Sequence, residues 1–175
     1  EKLIGAGPIL QNLIEGFIRL LFVILYIWGI GKMPDIARVF AYHGAEHKTI
    51  NAFESNSILT AADVSSFSVQ HPRCGTAFIL YVVLLSVIVF VFIGKTSWLV
   101  LIVSRIILIP FIAMLAYEYI RWTADHLDNS IVKILAKPGL WLQKLTTREP
   151  DESILEVSLA AFNAMYELEN ASASE

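Results

Sequence analysis

An all-α integral membrane protein, with about three transmembrane helices and further helical segments at one membrane face, is the fold this sequence predicts. Three observations carry that expectation. Hydrophobic residues make up 56% of the 175 and the mean hydropathy is +0.63, too apolar for an ordinary soluble domain. Residues 76–93 run almost without interruption through Val, Ile, Leu and Phe and carry no charge, which is long enough to cross a hydrocarbon core. Elsewhere apolar residues recur at spacings of three and four, the helical period rather than strand alternation. The length suits a single membrane domain over residues 1–175. A net charge of −3 without any Lys/Arg-rich run offers no nucleic-acid-binding surface. The expected partners are therefore the lipid bilayer and further copies of the chain in a homo-oligomer.

The elements follow in order. Gly5-Ala6-Gly7-Pro8 reads as a turn before a first span over residues 9–30. Its early part carries Glu15 and Arg19, four apart and able to pair on one helix face, so that end is interfacial and 17–30 is the lipid-compatible part. Gly31-Lys32-Met33-Pro34-Asp35 breaks the pattern. A second helix then follows, with Ile36, Val39, Phe40, His43, His47, Ile50 and Phe53 on its apolar edge. Residues 55–59 form a loop, and Thr60-Ala61-Ala62-Asp63 is an N-cap with an acidic residue three positions on. After His71-Pro72 come a span at 76–94, a tight connection at Gly94-Lys95-Thr96-Ser97, and a returning span at 98–117. Arg105 within that span would cost roughly 2.5–3.5 kcal/mol in lipid, so it should face protein, water or a carboxylate. Pro110 should kink the helix. Residues 118–170 form the C-terminal helices. The first continues the span, with Glu118, Arg121 and Asp125 spaced either for an ion-pair ladder or for support of a site. Residues 131–145, broken by Lys137-Pro138-Gly139, lie on the membrane interface. A terminal helix carries a stripe of Ile154, Val157, Ala161, Met165 and Leu168, then frays.

Chemistry concentrates in residues 33–75, which hold three of the four histidines and the only cysteine. In Tyr42-His43-Gly44-Ala45-Glu46-His47-Lys48-Thr49, His43, Glu46 and His47 share one helix face, in the order H-x-x-E-H. Two imidazoles one turn apart can hold one metal ion. His71 and Cys74, in His71-Pro72-Arg73-Cys74-Gly75, add a nitrogen and a sulfur. The set His43, His47, His71 and Cys74 suits a divalent metal, zinc above others. Glu46 has three open roles: ligand, general base toward a metal-activated water, or ion-pair partner of Lys48 or Arg73. Arg73 can bind an anionic substrate group or cap a carboxylate. A lone cysteine forms no intrachain disulfide and fits a reducing compartment.

The segments after the first and third spans carry Lys32, Arg38, Lys48, Arg73, Arg121, Lys133, Lys137, Lys144 and Arg148, whereas the opposite face has only Lys2 and Lys95. The positive-inside rule therefore places the histidine cluster and the C-terminus in the cytoplasm.

Met33-Pro34-Asp35, the 42–49 motif, His71-Pro72-Arg73-Cys74-Gly75-Thr76, Ser104-Arg105-Ile106 and Leu145-Thr146-Thr147-Arg148-Glu149-Pro150, in that order, resemble the YqhQ-like family of bacterial integral membrane proteins. That family is a domain of unknown function labelled a predicted metal-dependent enzyme, and the resemblance runs from about Glu15 to Leu168. It implies a membrane protein with a metal site and brings no reaction with it. Its members are longer, with a glycine-containing soluble segment ahead of the first span, so this chain is expected to be trimmed or naturally short.

The leading function is a cytoplasm-facing metal-dependent membrane enzyme of hydrolase type. Three ligands and a water would make the metal catalytic, whereas Cys74 in fourth position would close the site and make it structural. The alternatives are a transporter or channel subunit acting as an oligomer, with Arg105 lining a polar path, and a zinc-stapled scaffold that binds a protein partner.

Overall fold

The structure of the protein, a computed structural model, describes residues 8–93 and 97–173. Every element among them is a helix: α1 (Pro8–Ile30), α2 (Pro34–Glu54), α3 (Ala61–Ser65), α4 (Gly75–Ile93), α5 (Trp98–Asp125), α6 (Ser130–Thr146) and α7 (Glu152–Ala173). The all-α expectation is met. The turn expected at Gly5-Ala6-Gly7, the connection at Gly94-Lys95-Thr96 and the last two residues lie outside the described residues. The chain gathers into two compact units, one from Glu1–Trp28 and Pro72–Leu142, the other from Gly29–His71 and Gln143–Glu175.

In the first unit α4 and α5 pack against each other. Tyr81 meets Tyr119 at 4.8 Å between ring centroids, and Phe90 lies beneath the Arg105 guanidinium at 5.8 Å. Position rises along α4 as it falls along α5, so the two helices are antiparallel. Ala77 and Ala116 let the backbones approach, with Tyr81 and Ile120 filling the space around them. α1 touches α4 where Gly16 faces Val87, a contact that leaves no room for a Cβ on Gly16. The outward faces of α1 and α5 are apolar and exposed, with Phe22 at 69% and Ile106 at 68%. Leu10–Ile30 and Trp98–Asp125 are long and apolar enough to cross a membrane. α4 is apolar over Gly75–Ile93, 19 residues, and two of the three expected spans, α1 and α5, meet the test of length and composition among the described residues. Arg105 is exposed on α5 and its neighbour is an aromatic ring instead of a carboxylate. Glu118, Arg121 and Asp125 are exposed, and no ion pair joins them among the described residues.

Lys137-Pro138-Gly139 does not break the helix as the sequence suggested: α6 runs unbroken through Pro138. Proline removes an N–H from the helical ladder, and two tyrosines repair the gap. The Tyr81 hydroxyl accepts from the Gly139 N–H at 3.2 Å and donates to the Leu135 carbonyl at 3.2 Å. The Tyr119 hydroxyl also donates to Leu135, at 3.0 Å. Gly139 is required here, since a Cβ would press into the Tyr81 ring.

In the second unit α2, α3 and α7 pack together. Pro34 opens α2 with Asp35 in its first turn, favourable for its fixed φ and for the helix dipole. The Thr60 side chain caps α3 by accepting from the Asp63 N–H, as the sequence indicated. Asp151 caps α7, its Oδ1 accepting from the Ser153 hydroxyl at 2.7 Å and the Ile154 N–H at 3.0 Å. These bonds, the hydroxyl's first, hold the Asp151 carboxyl below its ordinary value.

Both stripes drawn on these helices are met in part, with His47 and Ile154 buried, and are otherwise turned in the structure. On α2 the buried residues include Ala41, Gly44, Ala45, Lys48 and Ala52, whereas Val39 is 58% exposed. On α7 Ile154, Leu155 and Leu159 are buried while Val157, Met165 and Leu168 are exposed. Small residues win the interface because they allow backbones to approach, and the Thr49–Ser158 hydroxyl contact at 2.9 Å forms within it.

Candidate metal centre

The site begins with α2, because helical spacing places His43 and His47 one turn apart. Their rings meet edge to face with centroids 4.3 Å apart. His47 is buried at 3% exposure and His43 is half-buried. A ligand nitrogen of each lies within 4.8 Å of the other's.

Two backbone segments set the ring orientations. His43 Nδ1 donates to the Thr146 carbonyl at 2.9 Å, and His47 Nδ1 donates to the Val69 carbonyl at 2.7 Å. A carbonyl accepts only from N–H, so in each neutral ring the proton sits on Nδ1 and Nε2 carries the lone pair. This is how proteins fix the tautomer and aim of a metal-binding histidine.

The first segment, residues 65–71, lies along α2 and has no strand or helix partner for most of its carbonyls. Buried backbone acceptors must still be satisfied, and α2 supplies the donors. Lys48 Nζ donates to Ser65 and Phe67, both at 2.7 Å, and Asn51 Nδ2 donates to Ser68 and Gln70 at 2.9 and 3.0 Å. Together with His47, these side chains hold the segment against the helix. At its end the Gln143 amide, fully buried, clasps the His71 backbone. It accepts from the His71 N–H and donates to the His71 carbonyl, each at 2.8 Å.

The second segment crosses α2 at Gly44. Arg148 N–H donates to Phe40 O at 2.9 Å, and the Arg148 guanidinium donates to Gly31 O at 2.6 Å. A Cβ on Gly44 would collide with the Arg148 carbonyl oxygen. The glycine inside the histidine motif and the Thr-Thr-Arg stretch 102 residues and more downstream are therefore two halves of one contact, and that contact positions the carbonyl that orients His43.

Among the residues singled out from sequence, His43, His47 and His71 come together, with His71 5.8 Å from His47 between ring centroids. His71 is buried and its Nε2 lies 3.3 Å from Glu54 Oε2. Glu46 is exposed and has no ion-pair partner among the described residues. Lys48 pairs instead with Glu149, 2.9 Å away. Arg73 is exposed, and Cys74 is buried with its Sγ 3.0 Å from Thr76 Oγ1. Both belong to the first unit, as do Arg105, Glu118 and Arg121. Three residues that build the site went unnoticed in the sequence, Asn51, Glu54 and Gln143, and at the site Lys48 was read only as a possible partner of Glu46. Lys48 left a trace, since a lysine among Ala41, Ala45 and Ala52 on a packing face must find acceptors. Gln143 left none.

No solved structure matches this chain. It is 37% identical over 159 residues to a protein of Bacillus subtilis (strain 168) named "Uncharacterized protein YqhQ", an alignment that covers 91% of this chain and 50% of the relative. The chain thus spans about half the length of the curated relative it matches. A family model described as a protein of unknown function, DUF1385, matches residues 1–168. With nearly its whole length matched, the chain belongs to that family.

Proposed function

We propose that this is a bacterial inner membrane protein whose cytoplasmic face carries a divalent metal, zinc, and that it acts as a metal-dependent enzyme of hydrolase type. The observation that carries the reading is the histidine pair: two adjacent imidazoles, each locked through Nδ1 onto a backbone carbonyl, both presenting Nε2 as acceptor. Any buried imidazole N–H needs an acceptor, and here both rings are anchored so that Nε2 is the acceptor, the arrangement a ligand pair requires. Nitrogen donors of this kind suit zinc, and a thiolate would strengthen that preference.

His43 and His47 would hold the ion. His71 and Cys74 complete the set in the proposal. His71 joins once its ring turns from Glu54, and Cys74 is joined to it by a three-residue link that reaches at most about 10 Å. When bound, such an ion acts as a Lewis acid and acidifies water. Glu46, one position before His47 and exposed to solvent, is the residue to accept a proton, and exposed Arg73 is the residue to meet an anionic group on the substrate. The placement in the cytoplasm rests on the Lys and Arg distribution. An oligomer is favoured by one specific observation, the exposed Arg105 on a helix long enough to span, since a second copy or a water path would lower its cost.

The test is elemental analysis of the purified full chain together with genetic complementation. About one zinc per chain is expected, lost in His43→Ala/His47→Ala and retained in Glu46→Gln, with Glu46→Gln failing to complement. Negligible metal after zinc-supplemented preparation sinks the metal reading. Full complementation by a metal-loaded Glu46→Gln protein removes Glu46 as the base.

A further inference from the structure

α6 has three faces. With 3.6 residues per turn, Val132, Ala136, Gly139 and Gln143 fall on one side, and all four are buried. Lys133, Lys137 and Lys144 fall together about a third of a turn away and are exposed. Between the lysines and the buried face runs a stripe of exposed apolar residues: Ile131 at 68%, Ile134 at 61%, and Trp141 and Leu135 beside them. The helix contains no Asp or Glu. A soluble surface helix has no reason to expose such a stripe, and a spanning helix would not hold three lysines.

We infer that α6 is a docking surface for the anionic lipid headgroups of the membrane: its apolar stripe enters the headgroup and acyl boundary, and Lys133, Lys137 and Lys144 bind lipid phosphates. Three observations select this occupant. Lysines flanking an apolar stripe that carries a tryptophan are the composition of a helix lying in the interface plane. The charge is of one sign and complements an anionic leaflet. α6 also begins five residues after α5 ends, and α5 is long and apolar enough to span, so the chain brings α6 to the bilayer surface. The tyrosine repair at Pro138 keeps the helix continuous, so that all three lysines stay in register. The inference rests on the membrane reading proposed above and adds the lipid class.

Each lysine near an anionic surface contributes roughly fivefold, about a hundredfold for three. The full chain in neutral detergent is titrated with acyl-chain-labelled phosphatidylglycerol or phosphatidylcholine, and binding is read as energy transfer from tryptophan. The wild-type chain should prefer phosphatidylglycerol by about a hundredfold. Lys133→Gln/Lys137→Gln/Lys144→Gln should abolish the preference and the matching arginine triple should keep it, while Trp141→Phe should lower the transfer signal. Equal binding of both lipids by wild type, or a preference that survives the glutamine triple, overturns the inference. Alkaline carbonate extraction of cell membranes separates this outcome from failure of the parent reading. A chain that stays with the membrane yet shows no lipid preference loses only the docking role of α6, whereas a chain released by carbonate loses its place in the bilayer.

Discussion

In the unit that carries the histidines, directional polar contacts do the positioning. Lys48 and Asn51 each take two carbonyls of the 65–70 segment and His47 takes one, and Gln143 clasps His71 from both sides. In the other unit α4 and α5 meet through Ala77, Ala116 and Ile120, and the polar contacts joining its helices centre on the tyrosines that bridge to α6. Apolar contact is tolerant of small shifts, but a hydrogen bond weakens steeply with distance and angle. A unit that must aim two imidazoles uses the second kind. A unit whose helices meet through small residues such as Ala77 and Ala116 relies mainly on the first, because close approach of the backbones supplies the contact.

The sharpest way to break this contrast is Lys48→Met, which keeps the length of the side chain and removes its donors. Two carbonyls lose their partner and Glu149 loses its cation, so the chain should lose about 3–5 kcal/mol, the cost of breaking a buried polar network from one side. Chemical denaturation in detergent would measure it, and a loss below about 1 kcal/mol would mean that the segment is held by apolar contacts after all.

Tyr81→Phe probes the other unit at its polar joint. The Gly139 N–H loses its acceptor while Leu135 keeps the Tyr119 hydroxyl, so about 1–2 kcal/mol is expected, with faster amide exchange confined to the middle of α6. Unchanged exchange there would show that the helix carries Pro138 without help.

The smallest effect concerns the Asp151 cap. Its carboxyl is held below its ordinary value by Ser153 and Ile154, so the charged form is favoured in the folded state. The stabilisation is complete above the unfolded value near 3.8 and disappears as pH falls through the lower folded value. Amide exchange at the first turn of α7 should therefore quicken on acidification below about pH 4 in the wild-type chain. Asp151→Asn, with no proton to gain, should show no such step. Identical profiles would remove the charge from the cap.

Much of the fold was legible because helices announce themselves locally. Pro34 and Asp35 mark the start of α2, Thr60 and Asp63 the cap of α3, and the uncharged run after Gly75 marks α4. Which face of a helix is buried was less legible, because that depends on what lies opposite. Val39 and Met165 fit an apolar stripe in sequence yet stand exposed, while Ala41, Ala45 and Lys48 take the interface. Pro138 shows the same limit, since its rule is local and its exception comes from Tyr81, 57 residues away.

By itself the sequence determined the helical period, the apolar runs and the pairing of His43 with His47, since each depends on residues within a turn or two of one another. Only the tertiary structure decided what aims those rings. The Thr146 carbonyl lies 103 residues from His43, and the Val69 carbonyl reaches His47 only because Lys48 and Asn51 hold its segment down. A backbone carbonyl is present at every position and leaves no mark in the sequence, so which carbonyl meets which ring is settled when the chain closes its long loops.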